Sequence, residues 1–303
     1  MPPALLASAR AVSMGASSVS GSKGVPDVIR SVRDMQARSA AWRAEGRRIA
    51  LVPTMGALHE GHLDLVRAAR SAADRVVVSI FVNPTQFAPT EDFAAYPRDE
   101  AADLASLDTL GVETVFAPAV PDMYPEGFAT RVMVEGPAAG LESDTRPHFF
   151  GGVATVVAKL FIACAPDAAI FGEKDYQQLQ VVRRMTRDLG LPVDVVGHPT
   201  VRAGDGLALS SRNAYLSPRE RALAPRLNAA LVAAAAAIRA GTPVTQALDA
   251  ARADLSAAGF AVDYVALRNA DTLAEVADPA REPLRLLAAA RLGRTRLIDN
   301  IAG

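Results

Sequence analysis

Short, continuous apolar runs that alternate with helical stretches constrain this chain most strongly. Residues 49–52 (Ile-Ala-Leu-Val) and 75–82 (Arg-Val-Val-Val-Ser-Ile-Phe-Val) read as strands with no polar face. Residues 63–73 and 100–110 read as helices, the second stopped by Gly111, and 112–116 as the next strand. Helix 153–163, strand 168–171, helix 176–189 with Gly190 as its stop, and strand 193–196 continue the series. A strand that is apolar on both faces must be covered on both, and the intervening helices supply that cover. The expectation is α/β, a doubly wound, Rossmann-like parallel sheet whose ligands bind beyond the carboxyl ends of its strands.

Near residue 200 the pattern changes. Ser217-Pro218-Arg219-Glu220 is a capping box, with serine at the cap, proline first in the helix and glutamate third. It opens an Ala-rich helical region that runs to residue 240 and kinks at Pro225. Thr242-Pro243 is expected to cap a further helix ended by Gly259. Strands follow at 262–267, 285–290 and 295–298, with Gly293 turning the last pair. The division expected is a Rossmann-like, ligand-binding domain over 25–200 and a smaller α+β domain over 201–303. Residues 1–24, rich in Ala, Ser and Gly, read as a disordered leader.

The 32 basic and 33 acidic residues are mixed along the chain, so no basic stripe points to nucleic acid or an anionic membrane. The longest apolar run, 231–238, is too short to span a bilayer. The one cysteine, Cys164, ends an apolar run and reads as a buried thiol, which fits a reducing compartment, the cytoplasm.

Chemistry concentrates in three polar loops at strand ends. The first is Pro53-Thr54-Met55-Gly56-Ala57-Leu58-His59-Glu60-Gly61-His62, where a strand hands over to a helix. Unpartnered amides at a helix start favour phosphate, and imidazoles placed there add donors. The histidines are three apart with Gly61 between them, unlike the four-residue spacing of zincins, and His148 and His198 have no motif that would complete a zinc site. Gly172-Glu173-Lys174-Asp175 is the second loop; its lysine opposes the helix dipole unless an anion is present. Asn83-Pro84-Thr85-Gln86 is the third. Leu209-Ser210-Ser211-Arg212-Asn213 adds hydroxyls and a guanidinium fork suited to phosphate. No Walker loop is present, and no G-x-G-x-x-G follows a strand.

With these segments in view, the chain resembles the pantoate–β-alanine ligase family from Val28 to Asn300. The resemblance rests on residues 53–62, on Ser-Ile-Phe-Val-Asn-Pro-Thr-Gln-Phe at 79–87, on Tyr96-Pro97-Arg98, and on 172–178, 209–213 and 295–300. It implies a two-step ligation. D-pantoate attacks the α-phosphate of ATP to give a pantoyl adenylate and pyrophosphate, and β-alanine then displaces AMP. His62, His59, Lys174, Ser210, Ser211 and Arg212 are implied as the catalytic, phosphate-facing set. Met55, Gly56, Ala57, Leu58, Glu60, Gly61, Gly172, Glu173, Asp175, Val201 and Leu209 complete the implied ATP site, and Gln86 and Gln178 the pantoate site. Magnesium is implied as a bridge between phosphates, not as an ion in a protein cage. Residues 84–98 are implied as a lid, and a homodimer as the assembly.

Two departures from the family pattern stand out. Leu209 occupies a position that is usually Met, and Phe149 one that is usually His, with His148 one residue earlier. Two other readings stay open. One is a different HxGH adenylyltransferase, disfavoured because a phosphorylated acceptor calls for arginine or lysine where Gln86 and Gln178 stand. The other is a catalytically silent nucleotide-binding protein. An aminoacyl-tRNA synthetase is disfavoured by the balanced charge.

Overall fold

The computed structural model describes residues 25–87, 93 and 96–303. The expected leader (1–24) and residues 88–92 and 94–95 of the expected lid lie outside them. The first sheet has six parallel strands, β1 (Asp27–Ile29), β2 (Ile49–Thr54), β3 (Arg75–Ile80), β4 (Thr114–Phe116), β5 (Ala168–Gly172) and β6 (Asp194–His198), in the order β1-β4-β3-β2-β5-β6. Helices α1 (Val32–Ala44), α2 (Glu60–Ala72), α3 (Glu100–Thr109), α6 (Phe149–Cys164) and α7 (Tyr176–Asp188) cover it, and the single turns α4 (Val120–Met123) and α5 (Glu142–Thr145) lie in the connection before α6. This is the doubly wound architecture that the alternating runs predict.

Alternation along the strands shows why both faces are apolar. Leu51, Val77 and Phe116 pack with Met35 and Trp42 of α1, Val153 of α6 and Leu179 of α7. Their neighbours Val52, Val78 and Val115 turn to the opposite layer, onto Leu65 and Val66 of α2 and Leu107 of α3. Each of these strands thus serves two cores, and a polar residue buried there needs a partner, as Thr54 finds by donating its hydroxyl to Ser79 O (2.7 Å).

Chain order reverses between β2 and β5. These strands pair at Ala50–Ala168 and Leu51–Ala169, whereas β2 and β3 pair along all of Ile49–Thr54. Beyond the short β2–β5 register the two strand ends part, and a crevice opens at the switch point where doubly wound sheets bind ligands.

The remaining chain folds on an antiparallel sheet, β7 (Ala261–Asn269), β8 (Leu284–Leu292) and β9 (Thr295–Ala302), in the order β7-β8-β9. Helices α8 (Pro218–Leu223), α9 (Arg226–Arg239) and α10 (Val244–Ala257) accompany it. The capping box forms as expected: the Ser217 N–H donates to Glu220 Oε2 (2.8 Å) and the Glu220 N–H to Ser217 Oγ (3.3 Å). The helical run breaks at Ala224–Pro225 because proline has no N–H to continue it. Gly293 takes the left-handed φ (+57°) of the turn joining β8 and β9.

Several expectations need correction. Thr242 does not cap α10; Pro243 precedes that helix with no side-chain cap, and the Thr242 N–H donates to Ala237 O, closing α9. Strand β1 and helix α1 were not foreseen, although Ser31 accepts from the Asp34 N–H (3.0 Å) as a regular helix cap. The 22-residue stretch Pro218–Arg239 is long and apolar enough to cross a bilayer, a feature the run 231–238 alone does not reveal. In the fold its residues Leu227, Ala230, Leu231, Ala234 and Ala235 pack against the small sheet.

Candidate active site

A cavity of about 760 Å³ fills the crevice at the β2–β5 switch point and extends beneath the small sheet. The loop after β2 supplies one wall. His59 caps α2 with its Nδ1 accepting from the Gly61 N–H (3.1 Å), and His62 Nδ1 accepts from the His59 N–H (3.4 Å). The rings are 4.1 Å apart between centroids. With each Nδ1 lone pair on an amide, a neutral ring carries its proton on Nε2. Burial, followed by the charge of Lys174, lowers the His59 pKa to about 4. Burial, then His59 and Lys174, lowers that of His62 to about 3. Both imidazoles are therefore neutral Nε2–H donors lining the cavity at physiological pH.

The loop before His59 is held from behind. Asp103 of α3, 4% exposed, accepts from the Ala57 N–H (3.0 Å) and the Leu58 N–H (2.7 Å). That grip stabilises Ala57 in a left-handed conformation (φ +52°) beside Gly56 (φ +80°). Burial raises the Asp103 pKa against the lowering effect of the two amides.

Lys174 and the 209–212 segment line the same cavity. Lys174 approaches Asp175 at 3.8 Å, too far for a tight pair, so its ammonium stays available to an anion. Ser210 Oγ accepts from the Arg212 N–H (3.3 Å), which folds Ser211–Tyr215 into a 3₁₀ turn. Tyr96, 5% exposed, brings its hydroxyl to 3.3 Å from Ser211 Oγ, and its ring lies 5.9 Å from the Arg212 guanidinium.

Gln86 sits in a 3₁₀ turn, Pro84–Gln86, and is 8% exposed. Asn83 Nδ2 donates to Gln86 Oε1 (2.9 Å) and to Gly152 O (3.2 Å). Asn83 Oδ1 in turn accepts from the hydroxyls of Tyr124 (2.9 Å) and Thr85 (3.0 Å). With its oxygen held, the end of the Gln86 amide left for a ligand is its Nε2 donor pair. Gln178, on α7, lines the same cavity.

The structure sorts the residues implied by the resemblance. Met55, His59, Gly61, His62, Gln86, Gly172, Lys174, Asp175, Gln178, Val201, Leu209, Ser210, Ser211 and Arg212 all line the cavity. Gly56, Ala57, Leu58, Glu60 and Glu173 do not. The amides of Ala57 and Leu58 are taken by Asp103, Glu60 pairs with Arg67, and Glu173 with Arg285 (3.0 Å). His148 is exposed at the start of α6, whereas Phe149 lines the cavity with the Arg146 guanidinium stacked 3.9 Å from its ring centroid. His198 pairs with Asp64 at 2.7 Å. The described residues contain no group of three His, Cys, Asp or Glu side chains placed to hold a metal ion. Sequence reading missed Asp103, Arg146 and the buried pair Asp299–Asn300; of these, Asp299–Asn300 stood inside a segment already singled out, and Arg146 opens the segment that carries the His148–Phe149 departure.

A doubly wound sheet with paired histidine donors at its switch point, in one cavity with lysine, serines and arginine, defines a nucleotide-handling α/β enzyme. Residues 27–302 match the Pantoate-beta-alanine ligase family, and the chain belongs to it. It is 59% identical to pantothenate synthetase 2 of Bradyrhizobium diazoefficiens over 278 residues, covering 91% of this chain and 98% of that one. With the pantothenate synthetase of Caulobacter vibrioides identity is 58% over 280 residues, 91% and 98% of the two chains. The crystal structure of pantothenate synthetase from Thermus thermophilus superposes with a TM-score of 0.84 at 50% identity, covering 90% and 98%. The Francisella tularensis pantoate-beta-alanine ligase, crystallised with beta-gamma ATP and beta-alanine, superposes at 0.76 with 31% identity, covering 91% and 97%. The chain is thus a ligase, and joining pantoate to β-alanine with ATP is the reaction of its family.

Proposed function

We propose that the ligation runs through a pantoyl adenylate formed in the switch-point cavity. A carboxylate is a poor electrophile, so pantoate must first gain a leaving group, which attack on the α-phosphate provides. Charge then builds on phosphate oxygens, and the neutral Nε2–H groups of His59 and His62 are donors aimed at such charge. Preorganised donors of this kind are each worth about 3 kcal/mol in a transition state. Lys174, Ser210, Ser211 and Arg212 add further donors to the phosphates. Gln86 offers its Nε2 pair to the pantoate carboxylate or hydroxyl, with Gln178 as second reader. Met55, Gly61, Gly172, Asp175, Val201 and Leu209 enclose the nucleoside. β-Alanine then attacks the acyl carbon, and AMP leaves. The carrying observation is that both histidines share one cavity with Lys174, Arg212 and both glutamines.

Magnesium belongs to this reading as a phosphate-bound ion that offsets charge on ATP. Without a protein cage among the described residues, Asp175 at the cavity edge is the carboxylate able to approach it. The division falls near residue 200, after β6, because the core of the second part is built from residues 207–297. Assembly as a homodimer enters this reading from the family resemblance. The buried thiol of Cys164, its pKa raised by burial, suits a reducing cytoplasm.

Exchange of labelled pyrophosphate into ATP, with and without D-pantoate, tests the adenylate. Pantoate-dependent exchange in wild type that collapses in His62→Ala is the expected result. Folded wild type that makes pantothenate without such exchange would remove the adenylate from the scheme.

A further inference from the structure

The last strand of the small sheet reaches the phosphate side of the site through two adjacent buried side chains. Asn300, 3% exposed, donates through Nδ2 to the carbonyls of Glu173 and Lys174, each at 2.9 Å. Its Oδ1 accepts from Arg285 Nε (2.7 Å), whose Nη2 donates to Glu173 Oε2 (3.0 Å) and whose guanidinium lies 3.9 Å from the Tyr176 ring centroid. The 3₁₀ turn Glu173–Asp175 has no side-chain cap of its own, and neither has α7 after it. The turn that presents Lys174 is therefore fixed from another sheet, 126 residues away in sequence.

Asp299, 4% exposed, holds the segment that leads to the serines and arginine. Its carboxylate accepts from Arg202 Nη1 (2.7 Å) and Nη2 (2.8 Å), a bidentate pair. The same guanidinium donates to Gly206 O (3.1 Å) and Asn300 O (3.3 Å). Arg202 bridges to Ala208, and the Leu209 N–H donates to Val201 O (3.0 Å), so the chain from 201 to 209 is one braced loop leading into Ser210–Arg212. One dipeptide thus grips the backbone at both donor segments of the phosphate site.

We infer that Asp299 and Asn300 are positioning residues for the ligation, setting the distance between Lys174 and the 210–212 donors. Neither lies among the groups assigned to substrate, and each acts through the segment it holds. Transition-state donors work only when placed before the reaction, and a displacement of about 1 Å costs on the order of 10²-fold in rate. The small sheet is then a working part of the phosphate site and not only a cover for it. The inference rests on the roles assigned to Lys174 and Arg212 above.

Steady-state AMP release with pantoate and β-alanine, in wild-type and Lys174→Ala backgrounds, tests it. Asn300→Asp keeps the side-chain shape but cannot donate to two carbonyls when ionised. In wild type it is expected to lower kcat by about 10²-fold, with a smaller change in the KM for pantoate. In the Lys174→Ala background the same change is expected to cost less than about threefold, because residues acting as a unit are not additive. Should Asn300→Asp fail to fold, Asp299→Asn serves, with about a tenfold loss that shrinks in an Arg212→Ala background. Folded variants within twofold of wild type, or losses that multiply fully across backgrounds, overturn the inference. Full activity of Lys174→Ala alone would instead overturn the assignment on which it rests.

Discussion

The ring of His62 turns its Nδ1 to the backbone N–H of His59, 3.4 Å away, so the first histidine of the pair orients the second through the main chain. His59 uses its own Nδ1 on Gly61. A single helix start therefore fixes the tautomer of both rings and directs both Nε2–H groups outward. Capping a helix with histidine sacrifices the stronger cap that serine or aspartate gives. The return is a pair of donors that need no reorganisation when phosphate arrives.

Neutral rings make a pH prediction. With the folded pKa values of His59 and His62 lowered to about 4 and about 3, unfolded chains bind protons below about pH 6.5 that the folded protein refuses. Stability is fully present above that pH and falls as pH drops toward 4. The thermal midpoint is expected to decline between pH 7 and 5, less steeply in His62→Gln. NMR titration of the ligand-free enzyme should show neither ring ionising between pH 5 and 8; a midpoint near 6.5 for either ring would contradict the tautomer argument.

Asp103 carries the second prediction. Asp103→Ala leaves the amides of Ala57 and Leu58 without their acceptor, and each unsatisfied amide costs about 1–3 kcal/mol where water cannot reach it. The left-handed Ala57 then relaxes and carries His59 with it. Urea unfolding should show a loss of at least about 2 kcal/mol for the two amides together, and kcat should fall about tenfold or more while the enzyme remains folded. A variant that loses stability but keeps wild-type kcat would show that the loop holds its shape unaided.

What sequence reading could reach follows from how local each cause is. The runs at 49–52 and 75–82 disclosed two-sided strands because every face of them is apolar. Helix α1 escaped because its core contacts reduce to Met35, Ser39 and Trp42 amid charged neighbours, although Ser31 and Asp34 marked its start. The histidines were legible because their caps lie within three residues of them. Asp103 was not, since nothing near it in sequence shows that its carboxylate meets amides 45 and 46 residues back. Ala57, Leu58, Glu60 and Glu173 stand outside the cavity lining, although their neighbours in sequence form part of it. Their groups are spent on Asp103, Arg67 and Arg285, partners that only tertiary packing supplies.

Gln86 supports a third prediction. Its Oε1 is already engaged by Asn83, so Gln86→Glu places negative charge where donors are needed and leaves Asn83 bonded. The KM for pantoate is expected to rise by at least about tenfold, the scale of one lost charge-assisted hydrogen bond plus repulsion. The KM for ATP should change little. Equal effects on both would place Gln86 elsewhere than at pantoate.

Gly152 gives the sharpest test of how the fold sets the pantoate side. It lies in α6 against the turn that carries Gln86, and a Cβ added there would stand 2.4 Å from Thr85 O, 2.7 Å from Thr85 C and 3.0 Å from Gln86 N. All three atoms are backbone, so no side-chain rotation relieves the clash, and the Pro84–Gln86 turn must move. The Asn83 bonds to Gly152 O and Gln86 Oε1 tie the same parts together and transmit the shift to the amide. Alanine also favours the helix by about 1 kcal/mol over glycine, which offsets part of the packing loss. Stability of Gly152→Ala can therefore fall only modestly while pantoate binding suffers fully. We expect the KM for pantoate to rise about tenfold or more, with the KM for ATP within about twofold, since sub-ångström placement of a binding group governs the first and not the second. Gly204→Ala, where no atom lies within 4 Å of the added carbon, is the matched control and should behave as wild type. Unchanged pantoate kinetics in a folded Gly152→Ala enzyme would mean that the turn yields without moving Gln86, and the close approach of α6 would then matter to packing alone.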